Sequence, residues 1–402
     1  FALSFMFAWS TWMFWRKEKY KNSRKVEPWI FFEIKIPREI LKGPKAMEQF
    51  FAALYSLRNK PVAWYKLYYD GEVPRWHIID IIGKNKEVRF FMRVSNRISA
   101  AVEGLLYANY PEIEIIETTD PYLDAIPHSY KDLVAQGYEF FGNELMQEMS
   151  PAISIRTYSE FEQETGDEKG RIIDPFAVLL ELIGNLQDSE MIVVQMILMP
   201  YIGKSLKKDI AHQLEGLRNT TQQMGHDKEG KPQYRFRFRT PAEEGVIKRL
   251  EDKKEKGIFE TTIRYMHIVP KEIYNYNIGY RGIQTYFNQF RHDRQVLERN
   301  YHMMTKSEWY YFPWIFHNLR SRLKRKVYYQ HYLERHLPNE HFAQQVYGTN
   351  WLAHWCMYHK PMPMSVEELA TLFHIPTSVV LTAPTMERIE SKHLSAPSNL
   401  PG

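Results

Sequence analysis

Between Trp29 and Glu117 the apolar residues repeat every second position, then every third or fourth, in an order that few folds accept. Ile30, Phe32, Ile34 and Ile36 alternate as a strand, and Met47, Phe50, Phe51, Leu54 and Leu57 follow at helical spacing. WHIIDII (76–82) has the near-continuous apolar character of a buried strand. The turn Gly83-Lys84-Asn85 leads from it into a second strand, with Val88, Phe90, Met92 and Val94 on one face. Ser95 is placed as the N-cap of a helix carrying Ile98, Val102, Leu105 and Leu106 inward, and EIEIIE (112–117) closes the series as a strand. Strand and helix periods in the order βαββαβ are those of a split-βαβ, ferredoxin-like unit. This is a statement of fold only, because one scaffold hosts many functions.

A looser second copy follows. A strand is expected to begin at Ile153 and Ile155, and Asp174-Pro175 caps the helix PFAVLLELIGNL with proline in its first turn. A strand over 191–199 and a helix over 204–217 come next, then a polar insertion over 218–239. Thr240-Pro241-Ala242-Glu243 is a capping box that opens another helix. Phe259, Thr261, Ile263 and Tyr265 alternate as a strand and 271–291 reads as helix, but the pattern assigns no final strand. Beyond it, WYYFPWIF (309–316) sets aromatics beside the basic run RSRLKRK (320–326), and Ser365 to Glu368 form a capping box for VEELATLFH. After Ile375-Pro376 the chain turns to Pro, Ser and Thr and reads as a linker.

The N-terminal segment FALSFMFAWSTWMFW (1–15) is apolar and stops at Arg16-Lys17. A membrane-spanning helix needs about 20 apolar residues, so the run reads as the closing turns of a truncated transmembrane helix. Trp12 and Trp15 lie where an aromatic belt would, and Arg16, Lys17 and Lys19 begin a basic flank of the cytoplasmic kind. A signal peptide would carry its charges before the apolar run rather than after it. The 402 residues are 44% hydrophobic and 25% charged, values that allow sizeable cores and exclude wholesale disorder. A single cysteine, Cys356, excludes an internal disulfide framework and agrees with a reducing compartment. The net charge of +5 is mild, so only local charge speaks about partners.

Motifs that carry chemistry are sparse. LMPYIGKS (198–205) has a strand before it and a helix after it, but Leu198 stands where a phosphate loop needs glycine, and Pro200 removes an N–H donor. GHDKEGKP (225–232) has its glycines and lysine correctly spaced, yet Pro232 replaces the Mg²⁺-binding hydroxyl. His354, Cys356 and His359 offer metal-capable atoms that only His336 or His341 could complete to four ligands. In so aromatic a segment, packing is the simpler role. No residue is therefore assigned to catalysis, to a cofactor or to a metal. Arg320, Arg322, Lys324, Arg325 and Lys326 remain as a polyanion-binding candidate, with Tyr328, Tyr329 and Tyr332 placed to stack on bases. The same cations could meet anionic headgroups, or only water.

Three stretches carry a resemblance. FFEIKIPREILKGPKAMEQFFAALYSLRN (31–59), IFETTIRYMHI (258–268) and SVEELATLFHIP with PTMERIESKHLSAPSNLPG (365–376 and 384–402) are similar to the membrane-anchored N-terminal region of bacterial conjugation and type IV secretion ATPases, the kind that couples DNA to a secretion channel. Segment 301–360 matches least. In that family an NLP tail leads into the motor with its phosphate loop, so the resemblance implies a motor beyond Gly402, with ATP and Mg²⁺ bound there and no cofactor in this stretch. It also implies a body on the cytoplasmic side of the cytoplasmic membrane, held through the N-terminal helix. The implied partners are the lipid bilayer, secretion-channel or motor subunits, DNA, and further copies of the chain.

The expected architecture is α+β: anchor and basic flank over 1–25, one ferredoxin-like unit with its connection over 26–150, a second over 151–300, an aromatic and basic tail over 301–376, and a linker over 377–402. The expected role is a non-catalytic assembly or docking domain of a DNA-translocating ATPase. The alternatives are a polyanion-binding module acting without a motor, and a degenerate nucleotide-binding enzyme.

Overall fold

The computed structural model describes residues 2–25, 28–37, 42–59, 64–122, 126–164, 174–218, 221–226, 232–236, 240–292, 295–306, 317–337, 349–350, 355–356 and 360–376. The strands are β1 (Trp29–Lys35), β2 (His77–Lys84), β3 (Glu87–Ser95), β4 (Glu114–Thr118), β5 (Tyr138–Gln147), β6 (Met191–Pro200), β7 (Thr221–His226), β8 (Pro232–Phe236), β9 (Ile258–Pro270), β10 (Leu297–Arg299), β11 (Thr349–Asn350), β12 (Trp355–Cys356) and β13 (Met362–Ser365). The α-helices are α1 (Ala2–Lys25), α2 (Pro44–Ser56), α3 (Trp64–Tyr68), α4 (Ser99–Asn109), α5 (Tyr130–Ala135), α6 (Tyr158–Glu164), α7 (Ala177–Gly184), α8 (Ser205–Arg218), α9 (Pro241–Glu255), α10 (Ile283–Asn288), α11 (His317–Leu333) and α12 (Val366–Leu372).

The fold is α+β, built on one antiparallel sheet in the order β10-β5-β9-β6-β2-β3-β1-β4, with β13 added beside β9. Each half orders its four strands alike: β4-β1-β3-β2 in the first, β10-β5-β9-β6 in the second. The halves meet edge to edge at β2 and β6, paired antiparallel from His77↔Leu198 to Lys84↔Met191. No exposed edge therefore remains at the junction, and with both faces of the sheet covered these two strands are buried almost end to end.

Helices α2, α4, α7, α10 and α12 cover one face. Their core joins Phe50, Phe51 and Leu54 to Ile79, Met196, Ile263 and Tyr286 and runs across both halves. On the opposite face Tyr328, Tyr329 and Tyr332 of α11 pack with Phe91, Phe140, Val193 and Met266. Two glycines set how closely the layers approach. A Cβ at Gly83 would meet Ile183 of α7 at 2.5 Å, and one at Gly142 would enter the ring of Tyr328. The segment 362–372 ties the halves together, since β13 pairs antiparallel with the start of β9 while α12 lies against α2 in the shared core.

Several expectations need correction. The second half opens with β5, inside the expected connection, whereas 153–157 is irregular. YEFFGNELMQ pairs along β9 because its 140, 142 and 144 face fits under α11. The missing last strand is β10, three residues long and paired with the end of β5. The 271–291 stretch is broken into a 3-10 turn at Lys271–Ile273, a π-turn at Ile278–Gly282 and then α10. Ser95 has extended backbone but makes no side-chain cap, and α4 begins only at Ser99. The polar insertion contains the hairpin β7–β8.

The N-terminal segment is a single helix, α1. Among the described residues no helix is long and apolar enough to cross a membrane. Helix α1 continues through the basic flank to Lys25. Met13 is buried, and Tyr20 joins Val73, Trp76, Ile78, Ile197 and Leu337.

Candidate functional site

The side chains that face α11 along one line of the sheet include polar residues in the middle of apolar strands. Register aligns Glu33 of β1 with Phe91 of β3, Phe91 with Asp80 of β2, Asp80 with Gln195 of β6, Gln195 with Arg264 of β9, and Arg264 with Glu144 of β5. Asp80, Gln195, Arg264 and Glu144 are all fully buried. A buried charge is tolerated only when paired and hydrogen-bonded, and these are. Arg264 Nε donates to Glu144 Oε2 at 3.0 Å. Asp80 accepts from Tyr122 Oη at 2.5 Å, from Gln195 Nε2 at 3.3 Å and from Arg335 Nε at 3.3 Å.

Arg335 lies just past α11 with φ +51°, a left-handed geometry that turns the chain back toward the sheet. Its two terminal nitrogens reach Asp120 at 2.6 Å each, a bidentate fork, while its guanidinium lies over Tyr122 at 4.3 Å. Burial pushes the Asp80 carboxyl above its ordinary range, against the pull of Arg335. Burial acts the same way on Asp120, but there the fork from Arg335 prevails and holds it below. The same loss of hydration, with Arg75 nearby, lowers His77 to about 4, and loss of hydration lowers His267 to about 4. The carboxylates at Asp80 and Glu144 thus lie under α11 and are engaged by internal partners. Such a row fixes the α11 layer to the junction between the halves.

The basic run occupies α11, and the helix divides it. Arg320, Lys324, Tyr328 and Tyr332 repeat every fourth residue and form the buried face. Lys324 Nζ donates to Tyr301 O at 3.2 Å, and Arg325 Nη1 donates to Glu139 Oε2 at 2.7 Å. Arg322 and Lys326 are exposed, beside exposed Leu319 and Leu323. The tyrosines do not offer rings to bases. Tyr328 Oη donates to Asn143 O at 2.6 Å and Tyr329 Oη to Pro127 O at 2.6 Å, with Tyr332 buried beside them. Aromatic rings gain more from covering the sheet than from water, which turns the run inward.

The candidate membrane-interface residues sit together. Trp12 lies against Tyr69 at 6.2 Å, and the Arg16 guanidinium stands over Tyr69, Trp12 and Trp15 at 4.6, 5.5 and 5.7 Å. Lys19 reaches over Trp15 at 5.3 Å, and Lys17 is half-buried on the same helix. Phe5, Trp9 and Trp15 stay exposed.

Of the near-motifs, 198–205 has the expected strand, turn and helix. Tyr201 Oη lies 2.6 Å from Ser205 Oγ and accepts from Leu206 N at 3.3 Å, so its ring closes the start of α8, where a phosphate would bind. Gly203 lies under that ring, since a Cβ there would meet Tyr201 Oη at 2.6 Å. The 225–232 motif spans the β7–β8 turn, and residues 227–231 lie outside the described ones. His341, His354 and His359 also lie outside, while His336 stacks on His331 at 4.6 Å. Among the described residues no group of three or more His, Cys, Asp or Glu is arranged to hold a metal ion.

The polar row was not singled out from sequence, although its signal was present. HIIDII, VVQMI, TIRYM and GNELM place Asp80, Gln195, Arg264 and Glu144 within strands rich in apolar residues. Compared with known proteins, the chain matches no family model and no curated protein.

Proposed function

We propose that the chain is a non-catalytic, membrane-attached docking domain, of the kind that scaffolds a DNA-translocating ATPase in conjugation or type IV secretion. The observation that carries the membrane part is α1: Tyr20 packs on the body and Met13 is buried, while Phe5, Trp9 and Trp15 are exposed beside Arg16 and Lys19. Aromatic rings bordered by cations favour the headgroup layer of a bilayer. Two βαββαβ units of ferredoxin-like type agree with the strand orders β4-β1-β3-β2 and β10-β5-β9-β6. A slab joined through β2 and β6 suits a scaffold, which must hold its binding surfaces at fixed separations. The DNA-transfer setting, the channel and motor partners, a homo-oligomeric full-length protein and the cytoplasmic side of the membrane rest on the sequence resemblance. The test is sedimentation of the full chain with anionic vesicles. Binding is expected, and Phe5→Ser with Trp9→Ser should weaken it at least about tenfold; affinity unchanged by the double substitution overturns the role of α1. The chain should also turn over no ATP, and turnover abolished by Lys204→Ala would favour the nucleotidase alternative instead.

The polyanion alternative now rests on Arg322 and Lys326, the exposed cations of α11. Single-stranded DNA binding that weakens with Arg322→Ser and Lys326→Ser, with a salt slope shallower by about 0.7 for each phosphate no longer neutralised, would support it. Binding and slope unchanged by both substitutions would end it.

A further inference from the structure

A second exposed aromatic element stands beside α1. Helix α3 exposes Trp64 by 73% and Tyr65 by 48%, and Tyr69, just beyond its end, by 58%. Buried elsewhere, such rings would contribute a large part of a core. Here three lie within six residues of one another on the surface. Their place is set by α1. Phe5, Trp9 and Trp12 form a ladder of rings along the helix, with centroids 6.5 and 5.5 Å apart, and Tyr69 continues it at 6.2 Å from Trp12. Arg16 then covers Tyr69. The contact is close in the backbone as well: Gly71, at φ +69°, lies where a Cβ would meet Arg16 C at 2.7 Å. A non-glycine residue would be strained there on both counts. The short helix is thus docked at the level on α1 where aromatic residues give way to basic ones.

We infer that α3 is a second membrane contact, and that Trp64, Tyr65 and Tyr69 form with Trp9, Trp15 and Lys19 one platform seated in the headgroup layer of an anionic bilayer. The inference rests on the membrane reading of α1 and adds an orientation to it. One helix alone lets the body swing about its axis, whereas two contacts fix which side faces the lipid. Charge favours this occupant, since Arg16, Lys19 and Lys66 lie on these two elements and Lys19 and Lys66 are exposed. The acidic groups of the neighbouring loop are Asp70, which is exposed, and Glu72, which accepts Asn59 Nδ2 at 3.3 Å. Tyrosine and tryptophan, apolar rings with one polar edge, match a layer that is apolar on one side and wet on the other.

The test uses the full chain with Cys356→Ser and one new labelling position at a time, carrying an environment-sensitive fluorophore: Tyr65→Cys on α3, Trp9→Cys on α1, and Val178→Cys on α7 at the opposite face of the sheet. On addition of vesicles of mixed zwitterionic and anionic phospholipid, positions 65 and 9 should shift to the blue and brighten while position 178 does not. If position 9 shifts and position 65 behaves like 178, the platform is overturned and the role of α1 stands. If neither shifts, both readings fail. In the unlabelled chain, Trp64→Ser with Tyr65→Ser removes side chains that already face water, so the fold should persist by circular dichroism. Vesicle affinity should fall about tenfold, and unchanged affinity would likewise overturn the platform.

Discussion

Single residues in this protein register where the sheet has excluded water. His77 and His267 are buried, and loss of hydration lowers each to about 4 from an ordinary 6.5. The unfolded chain takes up these protons near pH 6.5 and the folded chain only near 4, so stability is full above the first value and falls as pH drops toward the second. Thermal midpoints measured from pH 7.5 to 4 should decline over that window, and His267→Leu should flatten the decline. Arg335 is the second sensitive point. Replacing it by Met leaves Asp80 buried without its cation and Asp120 without its fork, an expected loss of about 3–5 kcal/mol in urea unfolding. Adding Asp80→Asn should recover part of that loss, because the charge that needed a partner is then gone.

At the scale of elements, the segment from β13 into α12 carries more than its eleven residues suggest. Ser365 Oγ accepts from Glu368 N at 3.3 Å, and Glu368 Oε2 accepts in return from Ser365 N at 2.7 Å. Glu368 also accepts from Ile155 N at 3.0 Å and pairs with Lys253 at 2.9 Å, both side chains fully enclosed. One carboxylate therefore caps α12, holds the irregular stretch after β5 and neutralises a lysine of α9. Ser365→Ala should cost about 1 kcal/mol, the worth of a cap. Glu368→Ala should cost about 3–5 kcal/mol, since it strands a buried ammonium. Equal losses for the two in denaturant titration would show that the lysine pair contributes nothing. The capping boxes at 240–243 and 365–368 were legible in sequence because a cap is local; the partners Ile155 and Lys253 were not.

For the whole molecule, the continuous sheet makes a thermodynamic claim. The halves share the β2–β6 ladder, and the core on the helical face includes residues from both. Neither half should unfold while the other stays folded, because each would expose an apolar strand edge and one side of that core. Calorimetry should give one transition, coincident with loss of far-UV and near-UV circular dichroism. Two separated transitions would mean that the junction at Asp80 and Gln195 is only an interface between independent domains.

Sequence alone determined the periods, and through them most strands and helices, both capping boxes and the division of α1 into apolar and basic halves. It did so because period, cap and charge run depend on residues a few positions apart. Tertiary structure decided the rest. The strand β5 was missed because its apolar and polar residues make sense only against β9 and α11. The basic run looked like a surface because charge invites that reading, yet helical geometry put Arg320 and Lys324 on the same face as three tyrosines, and those rings went to the sheet. The polar row needed four strands from distant parts of the chain to be brought into register before Asp80, Gln195, Arg264 and Glu144 became neighbours. Contacts between such distant residues leave no local pattern, so only the folded chain could reveal them.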